Sequence, residues 1–558
     1  MACGGLPRPS LVAETAERGV RPEMNEDQFG PAGMVDALEK IAGRRHVLCS
    51  EPDRVAYARD LWPRSTIKAR AGKTSARLPC AVVQPANEAE VAEVVRCAEA
   101  FEVALIPYGA GSGVCGGALA ESPAITVDMK RIRHLEVDKN THLARIGPGV
   151  IGQHLETELE RLGLTMGHYP SSLYCSTVGG YLAGRSAGQY SSRYGKIEDM
   201  VESLRVVVGG GEVLDTAQCA KQHGVDLLEL LVGSEGTLGV ITDSLMRLHP
   251  LPRHRWYRGI RVPSIEAGAE AMRALLQGGL RPAVVRLYDE IDTLMASKGE
   301  EPSESSLLSR LLERAHQSIR STSPSGQGGG LRALVERTAR GLMGRVLGAP
   351  MLLSRATTLL PSGCLLIVGF EGDEEAVALE SVLAAKWLQR FGEDMGAGPG
   401  EHWHSHRMNI SYKMSPLMDT GAFSDTMEVS TDWGNLMHLY HTVKNALAPH
   451  VLCMAHFSHA YVDGCSIYFT FAGFADCLEE TLALYDRTWK AGLTAVASTG
   501  ASIAHHHGVG KSKSAFTAED HPGGAPLMRG LSLALDPAGV FNPGKVWPAA
   551  TLMRGDKS

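Results

Sequence analysis

The residues Ile106–Gly117, reading Ile-Pro-Tyr-Gly-Ala-Gly-Ser-Gly-Val-Cys-Gly-Gly, constrain this chain more than any other stretch. They follow the apolar run Val103–Ile106, which reads as a short buried strand bounded by Pro107. Five glycines fall between Gly109 and Gly117, so backbone N–H groups are uncovered by side chains and positive φ angles are accessible. A chain needs both properties to wrap closely round a pyrophosphate. Two familiar phosphate loops fit poorly. The next strand, expected over Ala124–Asp128, arrives too soon for the helix of a Rossmann turn, and no Gly-Lys-Ser/Thr follows for a P-loop. From this stretch alone, a purely structural glycine loop stays open.

Length and charge narrow the class. With 558 residues the chain exceeds one simple core, and two or three domains are expected. Its 44% hydrophobic and 21% charged content is that of a soluble globular protein. A net charge of −7 without a concentrated basic stretch argues against nucleic acid as a partner. The eleven cysteines are scattered and form no Cys-x-x-Cys pair, which points to reduced thiols in a cytoplasmic setting. No apolar run approaches the roughly 20 residues of a membrane helix. Met1–Arg21 has no signal-peptide core, and Gly-Asp-Lys-Ser is not a peroxisomal ending. A cytoplasmic protein is expected, with peripheral membrane contact left open.

The pattern along the chain is α+β. Residues 1–77 read as an extension with lead-in helices at Met34–Ala42 and Arg54–Leu61. Over 78–252, strand Ala81–Val83 precedes helix Glu88–Phe101, with Val91, Val94, Val95 and Ala98 at helical spacing. Ile125–Met129 and Leu143–Ile146 follow as strands, and His154–Leu162 as a helix, a layering rather than a repeating βαβ. Strands Ser203–Val208 and Glu212–Asp215 flank Gly209–Gly211, and Gly233–Thr242 runs into a strand ending at His249-Pro250. Over 253–500, helices such as Ile265–Gln277 alternate with strands such as Ala283–Leu287 and Cys364–Glu371. An exposed insertion is expected near 300–345, Ser/Gly-rich around Ser321–Gly330. Residues 501–558 read as a segment that completes the site and returns to the first domain.

Taken together, the glycine loop, Ser176–Gly195, Gly233–Thr242 and the ending Asp536-Pro537…Phe541-Asn542-Pro543-Gly544-Lys545 resemble the vanillyl-alcohol-oxidase (PCMH-type) FAD family. Four motifs in the second half narrow the resemblance to the alkyldihydroxyacetonephosphate synthases. They are Val285–Asp289, Met427–Trp433, Tyr461–Phe471 and Ala504–Lys511. Relatives that oxidise D-lactate or glycolate carry Glu-His-Gly where this chain has His506-His507-Gly508, and their paired metal-ligating histidines are not reproduced. The resemblance implies a two-subdomain FAD-binding domain with an α+β cap, non-covalent FAD, a lipid-like small-molecule substrate and a homodimer. It also implies exchange of an acyl group for a fatty alcohol without net redox change. Oxidation of a 2-hydroxy acid or other alcohol is the alternative.

The resemblance places the cofactor contacts in three groups. Backbone amides of Tyr108, Gly109, Ala110, Gly111, Ser112, Gly113 and Val114 would hold the pyrophosphate, with Pro107 at the head of the loop. Pro170, Ser176, Thr177, Gly179, Gly180, Ala183, Ser186, Gly188 and Tyr194 belong to the stretch along the ribityl chain and ring. Glu235, Gly236, Gly239, Val240 and Ile241 belong to the stretch near the flavin's polar edge or adenine. Cys175 is near where some relatives link flavin covalently, but reads better as a small buried residue. Tyr468, His505, His506 and His507 are the expected catalytic group, imidazoles being able to take and return a proton near neutral pH. Three consecutive residues on an extended backbone alternate, so two of these histidines are expected to face the pocket and one to pack. With no carboxylate pattern beside them, no metal is expected. Arg286, Arg407, Lys413 and His459 are the expected substrate contacts. One departure stands out: an arginine of the synthase pattern falls on Met414, with only Lys413 beside it, and lysine cannot bind a phosphate bidentately. His402, His404 and His406 are further imidazoles that pattern does not require.

Overall fold

The computed structural model describes residues 30–74, 77–218, 225–296, 347, 363–409, 418 and 421–553. The expected insertion near 300–345 therefore lies outside the described residues. A small sheet carries the glycine loop. Strands β1 (Val47–Leu48), β2 (Ala81–Val83), β3 (Ala104–Tyr108) and β4 (Ala124–Asp128) lie in the order β1-β2-β4-β3. β4 runs parallel to both β2 and β3, and β1 is antiparallel to β2. Helix Glu88–Ala100 makes the crossover from β2 to β3. Asn87 caps it by accepting the Glu90 amide, and Val91, Val94, Val95 and Ala98 bury its inner face. The helix expected over Arg54–Leu61 is helical only to Ala56, as the end of helix Glu51–Ala56, and the next helix, Pro63–Arg70, begins beyond it. Buried Asp60 lies between them and accepts the Trp62 amide, and Pro63 starts the second helix afresh.

A second, antiparallel sheet follows, from β5 (Leu135–Asp138), β6 (Leu143–Ile146), β7 (Leu164–Thr165), β8 (Val201–Val207), β9 (Val213–Asp215), β10 (Val240–Arg247) and β11 (His249–Pro250). Its order is β5-β6-β10-β8-β9, with β7 and β11 pairing separately. The C-terminal tail returns to this lobe, as its sequence led us to expect. The Leu105 amide donates to Val540 and the Asn542 amide to Leu105, while the Asp536 carboxylate accepts the Val540 and Phe541 amides at 2.9 Å each.

The cap is built on an antiparallel sheet of β12 (His254–Val262), β13 (Val284–Tyr288), β14 (Cys364–Gly372), β15 (Glu393–Asp394), β16 (Phe423–Asp432), β17 (Leu452–Ala460) and β18 (Gly464–Gly473). The order is β15-β12-β14-β13-β17-β18-β16. Helices Ile265–Gln277, Glu374–Leu388, Leu436–Leu447 and Leu478–Ser498 cover one face. Side chains alternate along a strand, so Ile467, Phe469, Phe457, Met427 and Val429 enter that apolar layer. The residues between them face the other way. Glu428 pairs with Tyr468, Tyr468 with His456, and His456 with Tyr288, so the register sets a line of polar side chains across β16, β18, β17 and β13. The N-terminal lobe covers this face: Ser191 bonds His459 and Tyr461, and Tyr190 packs with Tyr257, Tyr288 and Trp403. The whole is an α+β fold.

One buried ion pair ties the helical layer to the sheet. Asp289 is fully buried and accepts from Lys444 Nζ at 2.5 Å and from the Ala455 amide at 2.9 Å. Lys444→Met removes the partner and leaves an uncompensated carboxylate. Its stability in chemical denaturation is expected to fall by about 3 kcal/mol, and an unchanged midpoint would show that the pair is not ionised.

Candidate active site

The glycine loop leaves β3 as an uncovered run of amides. Among the described residues, no amide from Gly109 to Val114 donates to a protein acceptor. Such consecutive free donors form a cradle for an anion. The loop is held from outside its own backbone. Lys130 Nζ donates to the Gly109 carbonyl, the Leu61 amide donates to Gly113, and the Tyr108 hydroxyl donates to Arg59. Gly109 lies so close to Thr177 that a Cβ there would stand 2.3 Å from Thr177 Oγ1. Thr177 in turn caps helix Val178–Ala183 by accepting the Gly180 amide. Gly111 adopts φ +62 over the Tyr108 hydroxyl, a conformation that glycine tolerates best. The Gly233–Gly239 turn closes the far side, with Gly236 against Pro107 and the Glu235 amide donating to Ala183.

The side chains expected to be catalytic gather where the cap meets this cradle. The Tyr468 hydroxyl lies 2.9 Å from His459 Nε2 and 2.5 Å from His506 Nε2. His459 is held on its other nitrogen by Ser191 Oγ at 2.8 Å, and Ser191 also accepts from the Tyr461 hydroxyl. His459 has φ +52 at a bulge in β17, between the pairs at Ser458 and Ala460. That bulge turns its ring toward Tyr468. Below Tyr468, the His456 ring stacks at 4.6 Å and is itself fixed by Asp292 at 3.1 Å. Burial pushes the Tyr468 phenol well above its ordinary range, and drives His459 and His456 well below theirs. Tyr468 therefore sits as a neutral phenol between imidazoles that can exchange its proton.

The three histidines do not alternate as expected. The amides of His505, His506 and His507 all donate to Glu428 Oε2, at 3.0, 3.2 and 3.4 Å, so the backbone curls round one oxygen instead of extending. All three rings consequently gather at Tyr468 and His459: His506 bonds Tyr468, His507 meets its ring edge at 5.3 Å, and His505 lies 5.8 Å from His459. Burial by itself would raise the Glu428 carboxyl, but His506, His505 and His507 outweigh it and hold it well below the usual carboxylate range. Burial pushes His505 and His507 down to about 3.

The other expected residues divide by place. Gly179 lies against Pro148, Ser176 bonds the Tyr181 hydroxyl, Ser186 meets His168, and Gly188 packs on the Tyr169 backbone, all in the N-terminal lobe. Pro170 is buried and accepts the Leu173 amide, Ala183 accepts from Glu235, Gly239 packs on Val207, and Ile241 lies half-buried in β10. Val240 turns its side chain into the apolar core, leaving only its backbone for a ligand. Tyr194 donates to Glu371 of the cap, which fixes the seam between the lobes. Glu235 accepts the Val509 and Gly510 amides and so anchors the histidine turn to the cradle. Arg286 stands over the Tyr288 ring with Nε buried and without a hydrogen-bond partner. Arg407 is caught between Tyr169 and Tyr190 and donates to the His404 carbonyl. Lys413 and Met414 lie outside the described residues. Cys175 donates weakly to Ser172, and burial raises its thiol, so it is no ready thiolate. The sequence reading missed Glu428, Ser191, His456 and His168 as site residues. For Glu428 a signal existed, a carboxylate in an otherwise buried strand.

Two family models match the chain: the FAD binding domain over residues 79–217, and the C-terminal domain of FAD linked oxidases over residues 251–546. An alkyldihydroxyacetonephosphate synthase of Trypanosoma brucei brucei is 27% identical over 564 residues, covering 97% of this chain and 84% of that protein. The mitochondrial D-lactate dehydrogenase [cytochrome] of Arabidopsis thaliana is 33% identical over 219 residues, 38% of each protein. A solved structure of an alkyldihydroxyacetonephosphate synthase matches with a TM-score of 0.71 at 25% identity, over 94% of this chain and 87% of that one. The matched domain makes FAD the cofactor, and the glycine loop lies within the matched residues. Among the described residues, no helix is long and apolar enough to cross a membrane.

Two measurements test this geometry. Gly109→Ala brings a methyl onto Thr177 Oγ1; FAD affinity, read by flavin fluorescence titration, is expected to fall at least tenfold, about 1.4 kcal/mol. Unchanged affinity would remove the loop from the cofactor site. Burial pushes His168 down to about 3, so the folded state leaves it neutral where the unfolded chain takes up a proton. Stability from this residue is present above the ordinary histidine range near pH 6.5 and is lost as pH falls toward 3, by up to about 1.4 kcal/mol per pH unit. His168→Gln should flatten the pH dependence of the denaturation midpoint between about pH 6 and 4 by one proton's worth; parallel profiles would contradict the assignment.

Proposed function

Because the chain belongs to the FAD-linked oxidase family, we propose that it is an alkyldihydroxyacetonephosphate synthase-like transferase, exchanging the acyl group of an acyl-dihydroxyacetone phosphate for a fatty alcohol. The observation that carries this reading is the Tyr468 hydroxyl held between His459 and His506, beside the half-buried cation Arg286, whose Nε is buried and unpartnered. The likeness to the synthases over nearly the whole chain supports it.

The residues divide the work. Arg286, with Nε unpartnered, is the cation for the substrate phosphate. Tyr468, its phenol proton drawn off by His459, takes the proton from the carbon between the ester oxygen and the ketone, where the carbonyl makes it acidic, and His506 holds the phenol oxygen. His459, held by Ser191, keeps the phenol aligned and passes its proton on. When bound, FAD supplies an electron-poor ring system that can accept an electron pair from the substrate. In the balance, one ester C–O bond breaks and the acyl group leaves as a fatty acid. The alcohol gives up its O–H proton and its oxygen forms the ether bond. No external electron acceptor is consumed.

A second reading, oxidation of a 2-hydroxy acid, draws on the D-lactate dehydrogenase likeness, which covers 38% of the chain. The decisive experiment incubates FAD-loaded protein anaerobically with acyl-dihydroxyacetone phosphate and a labelled long-chain alcohol. Labelled ether product with one fatty acid released per turnover is expected, with no acceptor present. No ether, together with flavin bleaching by D-lactate and recolouring by an electron acceptor, would overturn the transferase reading. Tyr468→Phe should keep its flavin but lose about 10²–10⁴ in kcat/KM, and a loss under threefold would rule the phenol out as the acid–base group.

A further inference from the structure

We infer that Glu428, His505 and His506 form a binding site for a divalent first-row metal ion of the zinc class. Their facing atoms make a closed triangle. His505 Nδ1 lies 2.9 Å from His506 Nδ1, and Glu428 Oε1 lies 3.3 Å from His506 Nδ1 and 3.6 Å from His505 Nδ1. A tetrahedral ion about 2.0–2.1 Å from each ligand spans edges of about 3.3–3.4 Å. The three observed edges bracket that value, so an ion is received by shifts of tenths of an ångström.

A second observation points the same way. Glu428 is fully buried, and its two oxygens are treated differently. Oε2 takes three backbone amides, while Oε1 has no hydrogen-bond partner and faces the two imidazole nitrogens. A buried anionic oxygen whose nearest polar neighbours are imidazole nitrogens at 3.3 and 3.6 Å, with no well-formed hydrogen bond, is poorly satisfied, and a cation in the triangle relieves it. The two imidazole nitrogens and one carboxylate suit zinc and its neighbours better than calcium or magnesium. Three protein ligands also leave a fourth position open, as catalytic rather than structural zinc sites do.

The site would orient the acid–base network. A metal on His506 Nδ1 leaves the ring proton on Nε2, 2.5 Å from the Tyr468 oxygen. The phenol then accepts from His506 and donates to His459 Nε2, which gives the proton chain one direction. No metal was expected from the sequence because no carboxylate lies beside the histidines. The structure brings one from 77 residues upstream, on β16. The inference holds whichever reaction the flavin serves.

The test uses untagged, full-length, FAD-loaded protein equilibrated with zinc chloride, gel-filtered without chelator and assayed by mass spectrometry for metal. About one zinc per chain is expected, dropping at least tenfold in Glu428→Gln and in His505→Gln. A double variant, His402→Ala with His406→Ala, should leave the stoichiometry unchanged. Those two imidazoles, His402 half-buried and His406 exposed, stack at 4.3 Å and are the pair that could hold zinc adventitiously. Wild-type protein holding under about a tenth of an equivalent, or zinc that survives Glu428→Gln and His505→Gln but not the double variant, would overturn the inference. Should the two site variants fail to fold, zinc-edge X-ray absorption of the wild type decides it. Two imidazoles and one carboxylate are expected, and any other ligand set refutes the site.

Discussion

The Glu428 carboxylate is the constraint on which the active site depends. It sits with no exposure on β16, and it draws three successive amides of the histidine turn onto one oxygen. A charged acceptor makes such bonds stronger than neutral ones, and a buried one cannot exchange them for water. The turn therefore has one shape, and that shape delivers His506 to Tyr468. Lys513, also fully buried, donates to the Glu428 carbonyl and fastens the same strand to the residues beyond the turn.

From that point the two lobes are locked by side chains that bind backbone groups, beside the side-chain pairs Ser191–His459 and Tyr194–Glu371. Glu235 of the FAD lobe takes the Val509 and Gly510 amides, just past the histidines. Asn542 of the returning tail donates to the carbonyls of Gly117 and Glu235. The glycine loop, the Gly233–Gly239 turn, the histidine turn and the C-terminal tail thus meet at one place. A cofactor held by the loop amides would lie beside the proposed acid–base group without any single element spanning the distance. Glycines permit the close approaches, as at Gly109 against Thr177 and Gly510 against the Cys115 carbonyl.

The lines of the fold were readable because their signals are local. Helices Met34–Ala42 and Ile265–Gln277 and strands Ala81–Val83 and Leu143–Ile146 carry their own apolar spacing, and the structure gives the same limits. The helix expected over Arg54–Leu61 failed because its interruption is tertiary. Asp60 is buried and bonded where a solvated acid would have let the helix continue. The histidine run was recognisable by composition, yet its geometry was misjudged. Alternation is a property of an extended backbone, and this backbone curls round an anion supplied by another strand.

The sequence by itself determined the chemistry available: a glycine loop with free amides, a tyrosine in an alternating strand, three imidazoles in a row and a returning tail. Those facts depend on residue type and spacing of a few positions, which the chain displays directly. Only the tertiary structure decided which of them meet. The pairing of Glu428 with Tyr468, and of Tyr468 with His456, follows from the register of antiparallel strands whose partners are far apart in sequence. A shift of one residue would send each of these side chains into the apolar layer. The site therefore rests on long-range pairing, held by the burial of Ile467, Phe469, Met427 and Val429 on the opposite face.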